Sequence, residues 1–221
     1  MAESPDAPHA HDHHHGAPHH HEPIRPEDID WDEQYRTEDQ IWSGHPNGSL
    51  IDEVSDLPTG RALDVGCGEG ADAIWLAEQG WQVDAVDVAP TAVEHGRAEA
   101  ETRGRSITWR AGDVLAEPPT GEFDLVSLQY PAFPIAELDR VTSILTGALA
   151  PGGLLLVVGH APPDDPSSIP FDHADWVQPP DIVAALPAGF TVELDETRSR
   201  PGDHHAHSHH HEDVVVRIRR D

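Results

Sequence analysis

The chain has 221 residues, with 13 Lys and Arg against 41 Asp and Glu and a formal net charge of −28. This length suits one domain of ordinary size and leaves no room for a second catalytic one, while the charge repels RNA and DNA at long range, so no nucleic-acid partner is expected. Every basic residue is arginine, which excludes a phosphate-loop lysine, a Schiff-base enzyme and a lysine base, and the single Cys67 excludes an internal disulfide or a thiolate metal cage.

Residues 1–26 read as a polar tail. Eight of the 18 histidines lie between His9 and His21, in a run broken by Pro, Gly and Asp with no hydrophobic period, which predicts disorder in the absence of metal. Imidazole is a borderline donor, so His11, His13, His14, His15, His19, His20 and His21 are candidate ligands for Ni2+, Zn2+ or another divalent transition metal; a solvated low-complexity tail is the simpler reading. No apolar run approaches the length of a membrane span and no apolar signal core opens the chain, so a cytoplasmic protein with no membrane partner is expected. Residues 27–221 read as the domain. Its first part, 27–58, carries Trp31, Tyr35 and Trp42, either as a lid or as an amphipathic helix packed on a sheet.

Ala62–Val65 is a short apolar run ending in glycines, and Ala71–Gln79 then places Ile74, Leu76 and Ala77 at helical spacing, giving strand, glycine turn and helix. Trp81–Asp87 alternates like a second strand. A carboxylate at its tip, Asp87, is placed to accept hydrogen bonds from two ribose hydroxyls. The turn reads Asp64-x-Gly66-x-Gly68-x-Gly70, which differs in spacing from the G-x-G-x-x-G of a dinucleotide fold. The carboxylate of Asp64 in the turn would repel a pyrophosphate and favour a cationic, amino-acid-bearing ligand such as S-adenosylmethionine.

At Leu63-Asp-Val-Gly-Cys-Gly-Glu-Gly70 and Asp87 the chain resembles the class I S-adenosylmethionine-dependent methyltransferases. The resemblance implies an α/β, Rossmann-like, doubly wound fold in a single domain, with a seven-stranded mixed sheet whose last strand is antiparallel. It implies cofactor contacts from Asp64, Gly66, Cys67, Gly68, Asp87 and Val88, and from Trp42 in the N-terminal segment. Trp31-Asp-Glu-Gln-Tyr35 and Ile41-Trp-Ser-Gly44 look like the opening of the small-molecule branch that includes tellurite-resistance and thiopurine methyltransferases.

Three later segments carry a reading of their own beside the one the resemblance implies. Ile107–Asp113 is a short strand ending in Gly-Asp; Asp113 caps this turn or, by resemblance, holds the adenine amino group, with Val114 against the ring. Phe123–Gln129 reads as a buried fourth strand, with Gln129 and Tyr130 at the edge where the family's residues face cofactor and substrate. Ile135–Leu149 is a crossover helix with Leu138, Val141, Leu145 and Leu149 on one face, and Gly152–His160 is the fifth strand. His160 is either a satisfied strand-end histidine or, with Tyr130 and Gln129, part of the catalytic set that orients or deprotonates a nucleophile. Methyl transfer from a sulfonium to a soft anion needs little acid–base help, because alignment dominates the barrier.

Phe190–Glu196 and Asp213–Arg219 read as the last two strands, joined by a loop over 198–212. That loop carries His204, His205, His207, His209, His210 and His211, a second candidate metal tract. In the expected topology it emerges at the carboxyl edge of the sheet. The sequence therefore predicts an S-adenosylmethionine-dependent methyltransferase acting on a small molecule, with a thiol, a chalcogen oxyanion or a phenol as acceptor and with divalent metal as a modulator. A non-catalytic metal-buffering protein on the same scaffold and, more weakly, a nicotinamide oxidoreductase are the competing classes. The sequence gives no oligomeric state.

Overall fold

The computed structural model describes residues 24–37, 44–163, 169–199 and 212–221. The elements run α1 (Trp31–Thr37), α2 (Gly48–Val54), β1 (Arg61–Val65), α3 (Ala71–Glu78), β2 (Gln82–Asp87), α4 (Pro90–Thr102), β3 (Thr108–Ala111), β4 (Phe123–Gln129), α5 (Leu138–Gly147), β5 (Leu149–His160), α6 (Pro179–Ala184), β6 (Phe190–Ser199) and β7 (Glu212–Arg220). The seven strands form one sheet in the order β3-β2-β1-β4-β5-β7-β6. Neighbours from β3 to β5 are parallel, and β7 is antiparallel to both β5 and β6. This is the single-domain, doubly wound mixed sheet that the sequence predicts.

Burial explains why the pattern was legible. Every residue of β4 except Asp124 is buried, as are all residues of β5 from Gly153 to Gly159, because helices cover both faces and each residue of a central parallel strand meets a core. Alternate side chains go to opposite faces. Leu63, Val65, Val126, Leu128, Leu155 and Val157 meet Val141 and Leu145 of α5 and Ile182 of α6. Ala62, Leu125, Leu154, Leu156 and Val158 meet Leu50 and Val54 of α2 and Leu76 of α3. The edge strand β6 is largely exposed and charged, which blunts pairing with another chain.

Several boundaries differ from the sequence reading. The crossover helix begins as a 3-10 turn at Ile135–Glu137 and its α-helical part ends at Gly147, because Leu149 already pairs with Phe123 as the start of β5. Pairing then skips to Leu125↔Leu154, and the exposed Pro151 and Gly152 fall in the irregularity. The last two strands extend to Ser199 and from Glu212, so Arg198 is a strand residue, tied to Glu53 of α2. Arg217 of β7 reaches the same Glu53 at 3.0 Å.

Two contacts bear on the N-terminal segment. Ile24 donates to the carbonyl of Pro170 and Pro26 is buried, so the folded part begins before residue 27. In the 27–58 segment, α2 is a core helix with Leu50 fully buried, which limits any lid to the part before it. There, Tyr35 is buried against Ala89 and Ala92, with Trp31 beside it. No helix among the described residues is long and apolar enough to cross a membrane.

Candidate active site

The glycine turn leaves β1 at Val65 and is sewn to β2, since Gly66 and Cys67 both donate to the Val86 carbonyl, at 2.8 and 3.1 Å. Gly66 and Gly70 have φ of +69° and +79°, a left-handed conformation that L side chains rarely adopt, and this folds the backbone back into α3. Asp87 closes the arrangement. One of its oxygens accepts the Gly68 N–H at 2.8 Å and the other accepts the Ala89 N–H at 2.9 Å, so β2's last residue fixes both the turn and the start of α4. A carboxylate has about four acceptor sites, so these two bonds leave capacity for two hydroxyl donors.

Three carboxyl groups crowd this turn: Asp64, Asp72 and Asp87 are only 2, 7 and 8% exposed. Asp72, at the start of α3, accepts both the backbone and the side-chain N–H of Asn47, each at 2.7 Å. Asp64 accepts from the backbone of Ala73, but its Oδ2 has no hydrogen-bond partner among the described residues. Burial pushes Asp64 well above the ordinary carboxylate value, and the charges of Asp72 and Asp87 push it the same way. Burial likewise raises Asp72 and Asp87, against the hydrogen bonds they accept. Burial, then Asp64 and Asp87, raises the Cys67 thiol, which makes it a poor nucleophile. An unpaired buried carboxylate oxygen among like charges fits a cationic ligand.

The sign of the pH effect follows. An acid whose folded value is raised contributes stability that is fully present below its unfolded value, near 3.8, and is lost as pH climbs through the folded one. Asp64→Asn should therefore raise the thermal midpoint at neutral pH in the absence of ligand and flatten its decline as pH rises above the ordinary carboxylate value. Parallel melting curves for variant and parent across that range would contradict the assignment.

The structure brings Gln129, Tyr130 and His160 together at the carboxyl edge. Gln129 is 9% exposed and donates from Nε2 to the Ser127 hydroxyl at 3.0 Å. Tyr130 has φ +53°, rare for a residue with a side chain, and its N–H donates to the Val158 carbonyl at 2.6 Å. Its ring centroid lies 4.3 Å from that of His160, and its hydroxyl donates to Asp213 at 3.0 Å. On the cofactor side Asp113 is exposed and caps its own turn through the Leu115 N–H at 2.8 Å. Val114 sits in the core, whereas Val88, beside Asp87, is 53% exposed. A cleft of about 400 Å3 lies between residues 27–32 and Val88. Asp32 of α1 holds one wall by accepting the Thr91 N–H at 2.8 Å, and that bond lowers its own pKa.

Trp42 and both histidine tracts lie outside the described residues. Sequence reasoning missed Asp72, Asn47 and Asp213. Asp72 could have been found as a third acid within the turn region; Asn47 and Asp213 carry no local signal.

The family model described as methyltransferase domain matches residues 62–153. The chain is 36% identical over 116 residues to demethylmenaquinone methyltransferase of Thermus thermophilus, covering 51% of this chain and 53% of that protein. It is 33% identical over 152 residues to 2-heptyl-1-hydroxyquinolin-4(1H)-one methyltransferase of Mycobacteroides abscessus, covering 66% and 61%. The chain thus spans about half to three-fifths of the length of these relatives. A solved structure described by the conversion of a disulfide bond into a thioacetal group during echinomycin biosynthesis superposes with a TM-score of 0.70 at 25% identity, covering 86% of this chain and 91% of that one.

Proposed function

We propose that the chain is a class I S-adenosylmethionine-dependent methyltransferase that binds S-adenosylmethionine and transfers the methyl group to a small molecule by in-line displacement, a reading supported by the methyltransferase-domain match over residues 62–153 and by the sheet order. The observation that carries this reading is the turn itself: the partnerless Oδ2 of Asp64, buried between Asp72 and Asp87, beside glycines whose backbone a ligand can approach. The ammonium of the cofactor's amino-acid end would relieve that repulsion, and Asp87 would hold the ribose hydroxyls. Val88, exposed next to Asp87, would offer an apolar surface to the adenine ring, and Asp113, just past the end of the neighbouring strand, would accept from its amino group. Bound there, the cofactor supplies an electrophilic methyl on a sulfonium. The protein's part is to hold it so that the acceptor meets the carbon opposite sulfur.

The acceptor is a thiol, a chalcogen oxyanion or a phenol. The formal charge of −28 argues against a nucleic acid. The donor density of the two histidine tracts suits Ni2+ or Zn2+, as a modulator of the same reaction.

Calorimetry with S-adenosylhomocysteine, S-adenosylmethionine and NAD, followed by a methyl-transfer assay on thiols, tellurite and phenols, tests this. Binding of the first two and not of NAD, with turnover on one acceptor, is expected. Absence of binding by either sulfur cofactor would remove the reading. Repeating the assay after chelation and after added Ni2+ separates the metal from the chemistry, and unchanged turnover would remove the metal's role.

A further inference from the structure

We propose that Asp213 is a positioning residue that holds His160 as the base for an acceptor arriving protonated, an aromatic hydroxyl compound; this rests on the methyl-transfer reading above. Asp213 opens the antiparallel strand β7 directly opposite His160, the last residue of β5. It is 3% exposed, its Oδ1 lies 3.4 Å from His160 Nδ1, and its Oδ2 accepts the Tyr130 hydroxyl at 3.0 Å. One buried carboxylate thus spans two side chains that themselves meet ring to ring at 4.3 Å. Tyr130 reaches this position in a left-handed conformation at φ +53°, a backbone cost that a tyrosine rarely bears and that tends to gather at functional sites.

Location makes the pair useful. In the order β2-β1-β4-β5-β7 the cofactor turn follows β1, and β5 lies two strands further along, about 10 Å away at the usual strand spacing. A cofactor seated at that turn would direct its methyl end toward β4 and leave the β5 end to the acceptor. The wall beyond is aromatic. Val177 donates to the Phe133 carbonyl at 2.9 Å, fixing that loop to the segment in which Phe171 lies 5.9 Å from Trp176 and 5.4 Å from His173. The groups that face His160 are Tyr130 from the end of β4, Asp213 from β7 and His173 from the 3-10 turn His173–Asp175. Burial lowers the His173 pKa, against a hydrogen bond from its ring to Gln178, and the charge of His160 lowers it further. His173 therefore adds little positive charge beside the base.

A carboxylate oxygen 3.4 Å from Nδ1 favours the tautomer that carries its proton there and its lone pair on Nε2. The acceptor's O–H proton passes to Nε2. The oxygen lone pair forms the O–CH3 bond as the C–S bond breaks, its electrons going to sulfur to give the neutral thioether S-adenosylhomocysteine, and the imidazolium then releases its proton to water. A phenol, with an ordinary pKa of about 10, is neutral at physiological pH and needs this help; a thiolate does not.

The test uses Asp213→Asn and His160→Gln in the full chain, each with two acceptors, an alkylphenol that is neutral at the assay pH and a nitrophenol that is already ionised. S-adenosylhomocysteine affinity should match the parent. With the neutral phenol kcat should fall roughly 100-fold at little changed KM, and with the ionised one by less than about threefold. Equal loss on both acceptors, or none on either, would overturn the proposal. If Asp213→Asn fails to fold, His160→Gln carries the same comparison. A parent that binds cofactor and methylates thiols or tellurite but no phenol also overturns it. A parent that binds no cofactor or methylates nothing sinks the underlying reading instead.

Discussion

Replacing Asp87 with alanine is expected to weaken S-adenosylhomocysteine binding roughly 100-fold, a loss of about 3 kcal/mol. On the proposed reading, two charge-assisted hydrogen bonds from ribose hydroxyls to a carboxylate that is 8% exposed would account for that size, since each would be made where water competes poorly. The substitution also leaves the Gly68 and Ala89 N–H groups without their acceptor, so the turn should loosen and the thermal midpoint fall. Asp113→Ala provides the contrast. Its carboxylate is exposed and caps only the Leu115 N–H, so its loss should cost about tenfold or less in affinity. Isothermal calorimetry on both variants, with melting curves alongside, checks the ranking. Equal effects of the two substitutions, or parent-like binding by Asp87→Ala, would contradict the ribose assignment.

Gly70→Ala is expected to destabilise the fold by about 2–4 kcal/mol, which for a chain of this size lowers the midpoint by roughly 5–15 °C. A Cβ at Gly70 would lie 2.3 Å from the Cη2 of Trp109, and the backbone there has φ +79°. A Cβ at Gly96 of α4 would lie 2.7 Å from the same ring atom, so Trp109 of β3 is gripped between the start of α3 and α4, which can approach it only because both positions lack side chains. Gly66 differs. Its φ is +69° but a Cβ would meet nothing within 4 Å, so Gly66→Ala should cost only about 1 kcal/mol in backbone strain while obstructing the cofactor's approach. Urea melts and calorimetry on the two variants should therefore dissociate, with stability lost at Gly70 and affinity lost at Gly66. In a Trp109→Phe background, which lacks the clashing atom, the cost of Gly70→Ala should shrink; an unchanged cost would show that the ring is not its cause.

How much of this was legible depends on how local the cause is. The strands Phe123–Gln129 and Ala62–Val65 were readable because a central parallel strand is buried on both faces and so becomes an apolar run. Asp87 was readable because the glycine turn and the second strand fix its place by spacing alone. The start of β5 at Leu149 was not, since Leu149 suits a helix face as well as a strand and only its pairing with Phe123 decides between them. Which of the two readings of the 27–58 segment holds at α2 was not legible for the same reason: Leu50 and Val54 announce an apolar face without saying whether it meets a ligand or the sheet.

By itself the sequence determined the parallel α/β architecture, the glycine turn and the place of Asp87 at the end of the second strand, because these follow from hydrophobic period and spacing within short stretches of chain. Only the tertiary structure decided that Asn47 restrains Asp72, that Arg198 and Arg217 bind α2 through Glu53, and that Asp213 meets both Tyr130 and His160. Tyr130 and Asp213 are 83 positions apart, and Asn47 and Asp72 are 25 apart. Single polar contacts across such separations leave no periodic trace in the chain; they form when the strand order β1-β4-β5-β7 gathers the ends of distant segments at one edge, where burial removes water and makes each carboxylate depend on the partners the fold supplies.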